Sequence, residues 1–74
     1  MTNLGPRQER QAMVMAQTVR LNALAVENYF TGGEAQLIAA YDEEDAIARL
    51  DIIIQTAQTV KNMLIKANKS VTKS

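Results

Sequence analysis

The sequence of 74 residues contains no cysteine, no histidine and no tryptophan. Without cysteine the chain has no disulfide and no thiolate metal ligand. Without histidine it lacks the commonest metal ligand and the usual general base near neutral pH. Its two C-terminal serines, Ser70 and Ser74, therefore have no familiar base to activate them as nucleophiles. These absences predict a protein that is not an enzyme and holds neither a cofactor nor a metal ion.

Chain breakers and long apolar runs are also scarce, with one proline and three glycines in the whole sequence. No apolar run is long enough to span a bilayer, and no secretory signal pattern is visible. We therefore expect a cytoplasmic protein, with signal-less export left open.

Residues 1–74 are predicted to form a single helical domain with frayed ends at 1–5 and 69–74. A domain this small is marginal alone, which favours oligomerisation.

Two long segments repeat apolar residues at alternating spacings of four and three, which predicts two amphipathic helices. The first is predicted from Pro6 to Phe30, because Pro suits the first helical position and Gly32 suits a C-cap. The second is predicted over about residues 43–68. The seam predicted for the first helix is Ala12, Ala16, Val19, Ala23, Val26 and Phe30. The seam predicted for the second is Ala46, Leu50, Ile53, Ala57, Val60, Leu64, Ala67 and Val71.

The stretch between these helices predicts a short middle helix over residues 34–41, followed by a helix start at Asp42. Asp42 is a good N-cap, and the acidic residues 43–45 fall where the helix dipole favours negative charge. One continuous helix from Gly33 onward is the alternative. The same acids could hold a divalent cation, but they lack the ligand spacing of a calcium loop. The predicted fold is an all-α antiparallel hairpin with a short middle helix, assembled into an oligomeric helical bundle.

Large aliphatic residues also occur off both seams, more than one partner helix can cover. One interpretation is ordinary surface exposure. The other is an interaction face, for which we expect association of the chain with itself, most simply as a dimeric four-helix bundle, and with another protein. The residues predicted for this interaction face are Val14, Leu21, Leu24, Ile52 and Ile65.

Charge is arranged in blocks although the net charge is zero. Residues 34–51 hold six acids and one arginine, whereas residues 52–74 hold four lysines and no acid. An antiparallel hairpin would gather the acids at its loop end and the bases at its open end. The basic end is a candidate site for an anionic small ligand, or for an acidic end of another subunit. Zero net charge and the lack of aromatics there argue against nucleic acid. The residues of this predicted anion-binding pole are Arg7, Arg10, Lys61, Lys66 and Lys69.

Two short stretches, residues 36–41 and 58–61, resemble needle subunits of type III secretion, which are short helical hairpins without cysteine. The chain lacks their proline-rich turn and apolar C-terminus, so the resemblance does not assign it to that family. The sequence favours a small non-catalytic adaptor, inhibitor or regulator that acts through an apolar helical face. A self-assembling or secreted filament subunit is one alternative. A small phage-type protein that sequesters an anionic ligand such as a nucleotide is another.

Overall fold

The computed structural model of the chain describes residues 3–32 and 38–72, and this part contains two α-helices and no strand. Helix α1 is Pro6–Thr31 and helix α2 is Glu43–Thr72. The predicted all-α class with two long helices is confirmed. Helix α2 runs beyond the predicted end at residue 68, so residues 69–72 are helical rather than frayed.

Helix α1 begins at Pro6, as predicted, and ends at Thr31, one residue beyond the predicted end, with Gly32 as its C-cap. Pro6 occupies the start of the helix behind Gly5, whose carbonyl accepts a hydrogen bond from the N–H of Glu9 at 2.8 Å. At the other end Gly32 adopts the left-handed conformation with φ of 65°, and its N–H donates to the carbonyl of Asn28 at 3.0 Å. This geometry closes the helix where a residue with a β-carbon would be strained.

Helix α2 begins at a side-chain cap that Asp42 provides. The N–H of Asp45 donates to Oδ1 of Asp42 at 2.8 Å, and the N–H of Ala46 donates to the Asp42 carbonyl at 2.9 Å. These are the two bonds that define an N-cap residue. The predicted helix start at Asp42 is therefore confirmed, and the chain does not form one continuous helix through this point.

The segment before the cap is not helical over residues 38–42. The N–H of Ala40 donates to the carbonyl of Ala25 in α1 at 3.1 Å, and the side-chain amide of Asn28 donates to the carbonyl of Ile38 at 2.8 Å. These backbone groups form hydrogen bonds with α1. Those bonds take the place of the hydrogen bonds that a helix would provide. Residues 34–37 of the predicted middle helix lie outside the described residues, so the structure does not show that helix.

The two helices pack side by side in opposite directions, as the predicted hairpin requires. Tyr29, late in α1, lies beside Ala46 near the start of α2, whereas Ala16 lies beside Ala57 and Val60 further along α2. The hairpin measures 50 × 20 × 16 Å along its principal axes. We call the end where the helices are connected the loop end and the opposite end the open end.

The contact between the helices uses only half of each predicted seam. The buried and half-buried residues along it in α1 are Ala12, Met15, Val19, Asn22, Val26 and Tyr29. Those in α2 are Ala46, Arg49, Ile53, Thr56, Val60, Met63 and Ala67. Six other predicted seam members are exposed, namely Ala16, Ala23, Phe30, Leu50, Ala57 and Leu64. The side chain of Val71, the last predicted seam member, lies outside the described part. Each helix is turned by about 50° from its predicted orientation, or half of the step between successive residues.

This orientation leaves the hairpin with a core of small side chains. The buried apolar residues of the described part are Ala12, Ala25, Val26, Ala40 and Ala46. No buried side chain there is larger than that of valine, and twelve large hydrophobic residues are exposed. Because larger aliphatic side chains stabilise a fold more when they are buried, the hairpin alone makes little use of its apolar content.

Candidate protein-interaction surface

An apolar groove lies between the two helices toward the open end. Its volume is about 420 Å³. Its floor on the α1 side is made of small side chains, because Ala16 and Val19 occur where a larger residue would fill it. On the α2 side the groove is walled by larger aliphatics and one cation. The lining residues are Ala16, Val19, Ala57, Val60, Lys61, Leu64 and Ile65.

A second cavity of about 260 Å³ lies at the loop end, where Phe30 lies opposite Ile47 and Leu50. Phe30 is 76% exposed, although it is the largest apolar residue of α1. Ile54, which is 65% exposed, follows Ile47 by seven residues, about two helical turns, and so lies on the same side of α2 between the two cavities. We call this side of the hairpin the groove face. Its residues are Ala16, Val19, Phe30, Ile47, Leu50, Ile54, Ala57, Leu64 and Ile65.

A polar network fixes which side of each helix faces the other. Nη1 of Arg49 donates to Oδ1 of Asn22 at 3.1 Å across the hairpin, and the Asn22 amide donates to the Thr18 carbonyl at 2.8 Å. Nε of Arg49 also donates to Oδ2 of Asp45 at 3.2 Å within α2. Buried and half-buried polar groups need such partners, so this chain of bonds holds Asn22 and Arg49 at the helix contact.

The Asp45 carboxyl links this network to the turn before α2. Its Oδ2 accepts a hydrogen bond from the Tyr41 N–H at 3.0 Å as well as the bond from Arg49. The hydrogen bond from the Tyr41 N–H is the largest effect on the pKa of Asp45, and it lowers this pKa. Partial burial raises the pKa, and Arg49 lowers it further. Asp45 therefore stays ionised and joins the turn, α2 and α1 in one connected group.

The groove face lies beside that network on α2. Asn22 and Arg49 lie at the contact. The residues that follow the contact positions of each helix by about one position therefore point to one side of the hairpin. In α2 these residues repeat as Ile47, Leu50, Ile54, Ala57, Lys61 and Leu64, with alternating spacings of three and four. This is a second heptad stripe, and such a stripe packs against another helix. Only Lys61 interrupts it with a charge.

No protein-family model, curated protein or solved structure matches the chain.

The five residues predicted for the interaction face do not lie on one surface. Ile65 lines the groove, whereas Ile52 lies about 140° away around α2 at 3.6 residues per turn, on the flank that carries threonines and glutamine. Val14 and Leu21 share a separate exposed stripe on the outer side of α1, and Leu24 is half-buried beside it. Of the predicted set, Ile65 alone belongs to the groove face.

Most of the groove face consists of residues outside the predicted interaction face. Leu50, Ala57 and Leu64 belong to the predicted internal seam, and Ile47 and Ile54 are among the large aliphatics predicted off that seam. Their spacing carried a signal, because the stripe from Ile47 to Leu64 is as regular as the predicted seam. Periodicity alone could not decide which of the two stripes faces α1.

The basic residues of the predicted anion-binding pole share the open end of the hairpin but point in different directions. All five are exposed. Lys61 lines the apolar groove, whereas Lys66 projects about 140° away around α2 and Lys69 about 80° away. A compact anion requires donors that converge on one point. The described geometry thus gives the pole a diffuse positive charge, and its binding of an anionic ligand stays a prediction.

The acidic run at the start of α2 acts locally in this structure. Asp42 caps the helix and Asp45 binds Arg49, while Glu43 and Glu44 lie in the first turn. Within residues 3–32 and 38–72, no three acidic side chains gather as a metal site would require. In the same described part, no helix combines the length and the apolar character needed to cross a membrane.

Proposed function

We propose that this protein is a non-catalytic protein–protein interaction module that acts through the groove face. The observation that carries the proposal is the distribution of side chains around α2. Arg49 and Thr56 take two of the seven positions at the contact with α1, whereas Leu50, Ile54 and Leu64 are exposed. A monomer optimised for its own stability would place the large aliphatic residues inside, because burial of each contributes about 1.5–3 kcal/mol.

The shape of the groove face fits a helix. Apolar residues in α2 repeat along a groove whose α1 side is lowered by Ala16 and Val19. Helices that pack together approach to about 8–10 Å, and small residues on one side of a groove permit that approach. Recognition of this type uses anchors at positions three and four residues apart on the incoming helix. The proposed partner surface is therefore an apolar helical face.

Site-specific photo-cross-linking in the cells that make the protein tests this proposal. A photoreactive phenylalanine analogue at Ala57 places the probe in the groove face. The same analogue at Ala48 is a matched control, since Ala48 is also an exposed alanine of α2 and lies about 180° around the helix. We expect covalent adducts with a protein chain from position 57 and few from position 48. Equal yields, or no adduct from position 57, would refute the proposed function.

A further inference from the structure

We infer that the occupant of the groove face is a second copy of this chain, packed antiparallel to the first with its α2 against the α2 of the first copy. This inference rests on the proposed function and names its partner.

The first argument is the position of the apolar arcs. Around α2 the apolar residues extend from Val60 and Ile53, which contact α1, to Ile54 and Ile65 on the groove face. The centre of this arc points between α1 and the groove side. In a four-helix bundle each helix has two neighbours, and its apolar arc is centred between them. The hairpin supplies one neighbour of α2, and a second hairpin on the groove face supplies the other.

The size of the surface agrees with this arrangement. The broad side of the hairpin, of which the groove face is the apolar part, measures 50 × 20 Å. The whole broad side covers about 1,000 Å², and a standard protein interface buries about 800 Å² on each partner. A second hairpin of the same dimensions would cover the whole groove face, including both cavities. A single short peptide would leave part of it exposed.

Charge complementarity sets the orientation. The loop end carries an excess of negative charge, and the open end carries an excess of positive charge. The acids of the loop end are Glu27, Asp42, Glu43, Glu44 and Asp45, with Arg49 as the counter-charge. The bases of the open end are Arg7, Arg10, Lys61, Lys66 and Lys69, with Glu9 as the counter-charge. A parallel pair would bring like charges together at both ends, whereas an antiparallel pair brings opposite charges together.

An antiparallel two-fold axis can pass at the height of any residue of α2, and full coverage of the groove face from Ile47 to Ile65 centres it at Thr56. A two-fold axis that exchanges the two hairpins and reverses their direction places α2 on α2. Ile47 and Ile65 are 18 residues apart, which is five full turns, so they point in the same direction about 27 Å apart. Reversal about Thr56 then sets Ile47 opposite Ile65 of the second copy.

Sedimentation equilibrium and engineered cysteines test the inference on the full chain. At tens of micromolar we expect a species of twice 8.2 kDa. The native chain has no cysteine, so single cysteines can be cross-linked without background. With a short bismaleimide, a mixture of Ile47→Cys and Ile65→Cys should cross-link efficiently. Ile65→Cys alone should not, because its two copies lie about 27 Å apart. Efficient cross-linking of Ile65→Cys with itself would overturn the antiparallel orientation.

Two matched aspartate variants test the face itself. Ile54 and Ile52 are both exposed isoleucines of α2, and they lie about 160° apart around the helix. Ile54→Asp should raise the dissociation constant of the dimer about 100-fold or more, because both copies lose a buried isoleucine. Ile52→Asp should leave it within about threefold, and circular dichroism should show that both variants remain helical. A dimer that Ile54→Asp leaves intact would overturn the inference.

The outcomes separate this inference from the proposed function. A clean monomer whose Ala57 probe cross-links to a different protein would overturn the second copy as partner and retain the interaction module. A monomer without any adduct from position 57 would overturn both.

Discussion

The cap at the start of α2 permits a quantitative prediction. Asp42→Ala removes the Oδ1 acceptor that the Asp45 N–H meets at 2.8 Å, and it removes a negative charge beside the positive end of the helix dipole. Loss of an N-cap costs about 0.5–2 kcal/mol, and a charge at an exposed helix end contributes about 0.3–1 kcal/mol. Because Asp42 is exposed, we expect the free energy of unfolding to fall by about 1 kcal/mol.

Thermal unfolding followed by far-UV circular dichroism measures this effect. For a domain of this size, 1 kcal/mol corresponds to a decrease in Tm of about 4–8 °C. The variants must be compared at one protein concentration, because self-association would add to the apparent stability. Asp42→Asn keeps an acceptor oxygen and should lower Tm only slightly. Asp51→Ala, within α2, should leave Tm unchanged or raise it, since alanine is the better helix former. An Asp42→Ala protein as stable as the wild type would refute the capping argument.

Two further substitutions test the turn and the polar network by the same unfolding assay. Gly32→Ala should destabilise the protein by about 1–2 kcal/mol, because Gly32 has φ of 65°. Gly32→Asn should lower the free energy of unfolding by less, since asparagine tolerates this conformation. Equal stability of the two variants would contradict the explanation. For Asp45, whose folded-state pKa is lowered, the stabilising contribution is complete above the unfolded pKa of about 4 and is lost as pH falls through the lower folded value. Asp45→Asn should therefore weaken the decline of unfolding free energy in acid, and an unchanged acid profile would exclude Asp45 as its source.

The helices and their ends could be predicted because their signals are local. Pro6, Gly32 and Asp42 each act on groups within four residues, and the structure shows the end or start that each indicated. The segment over residues 38–42 differs because Ala40 and Ile38 form hydrogen bonds with α1. The Ala40 N–H reaches Ala25, a partner 15 residues away, and no local preference indicates that pairing.

The orientation of the helices could not be predicted for a related reason. Each helix has an apolar arc wider than one contact, so the pattern of apolar residues permits several rotations. Arg49 and Asn22, 27 residues apart, select one rotation through their hydrogen bond. The sequence-based interpretation placed Leu50 and Leu64 inside because it counted apolar residues alone. In the rotation that the structure shows, this polar pair is hydrogen-bonded at the helix contact, and Leu50 and Leu64 are exposed.

The hydrogen bonds across the turn also have a kinetic consequence. Two of these bonds lie near the loop end. The Ala40 N–H bonds the turn to Ala25 of α1, and Arg49 bonds α2 to Asn22 of α1. Closing a short loop takes about 10–100 ns, far less time than bringing the distant chain ends together. We therefore expect folding to nucleate at the loop end and to proceed toward the open end. The loop end would then determine how fast the hairpin folds, while contacts near the open end would determine how fast it unfolds.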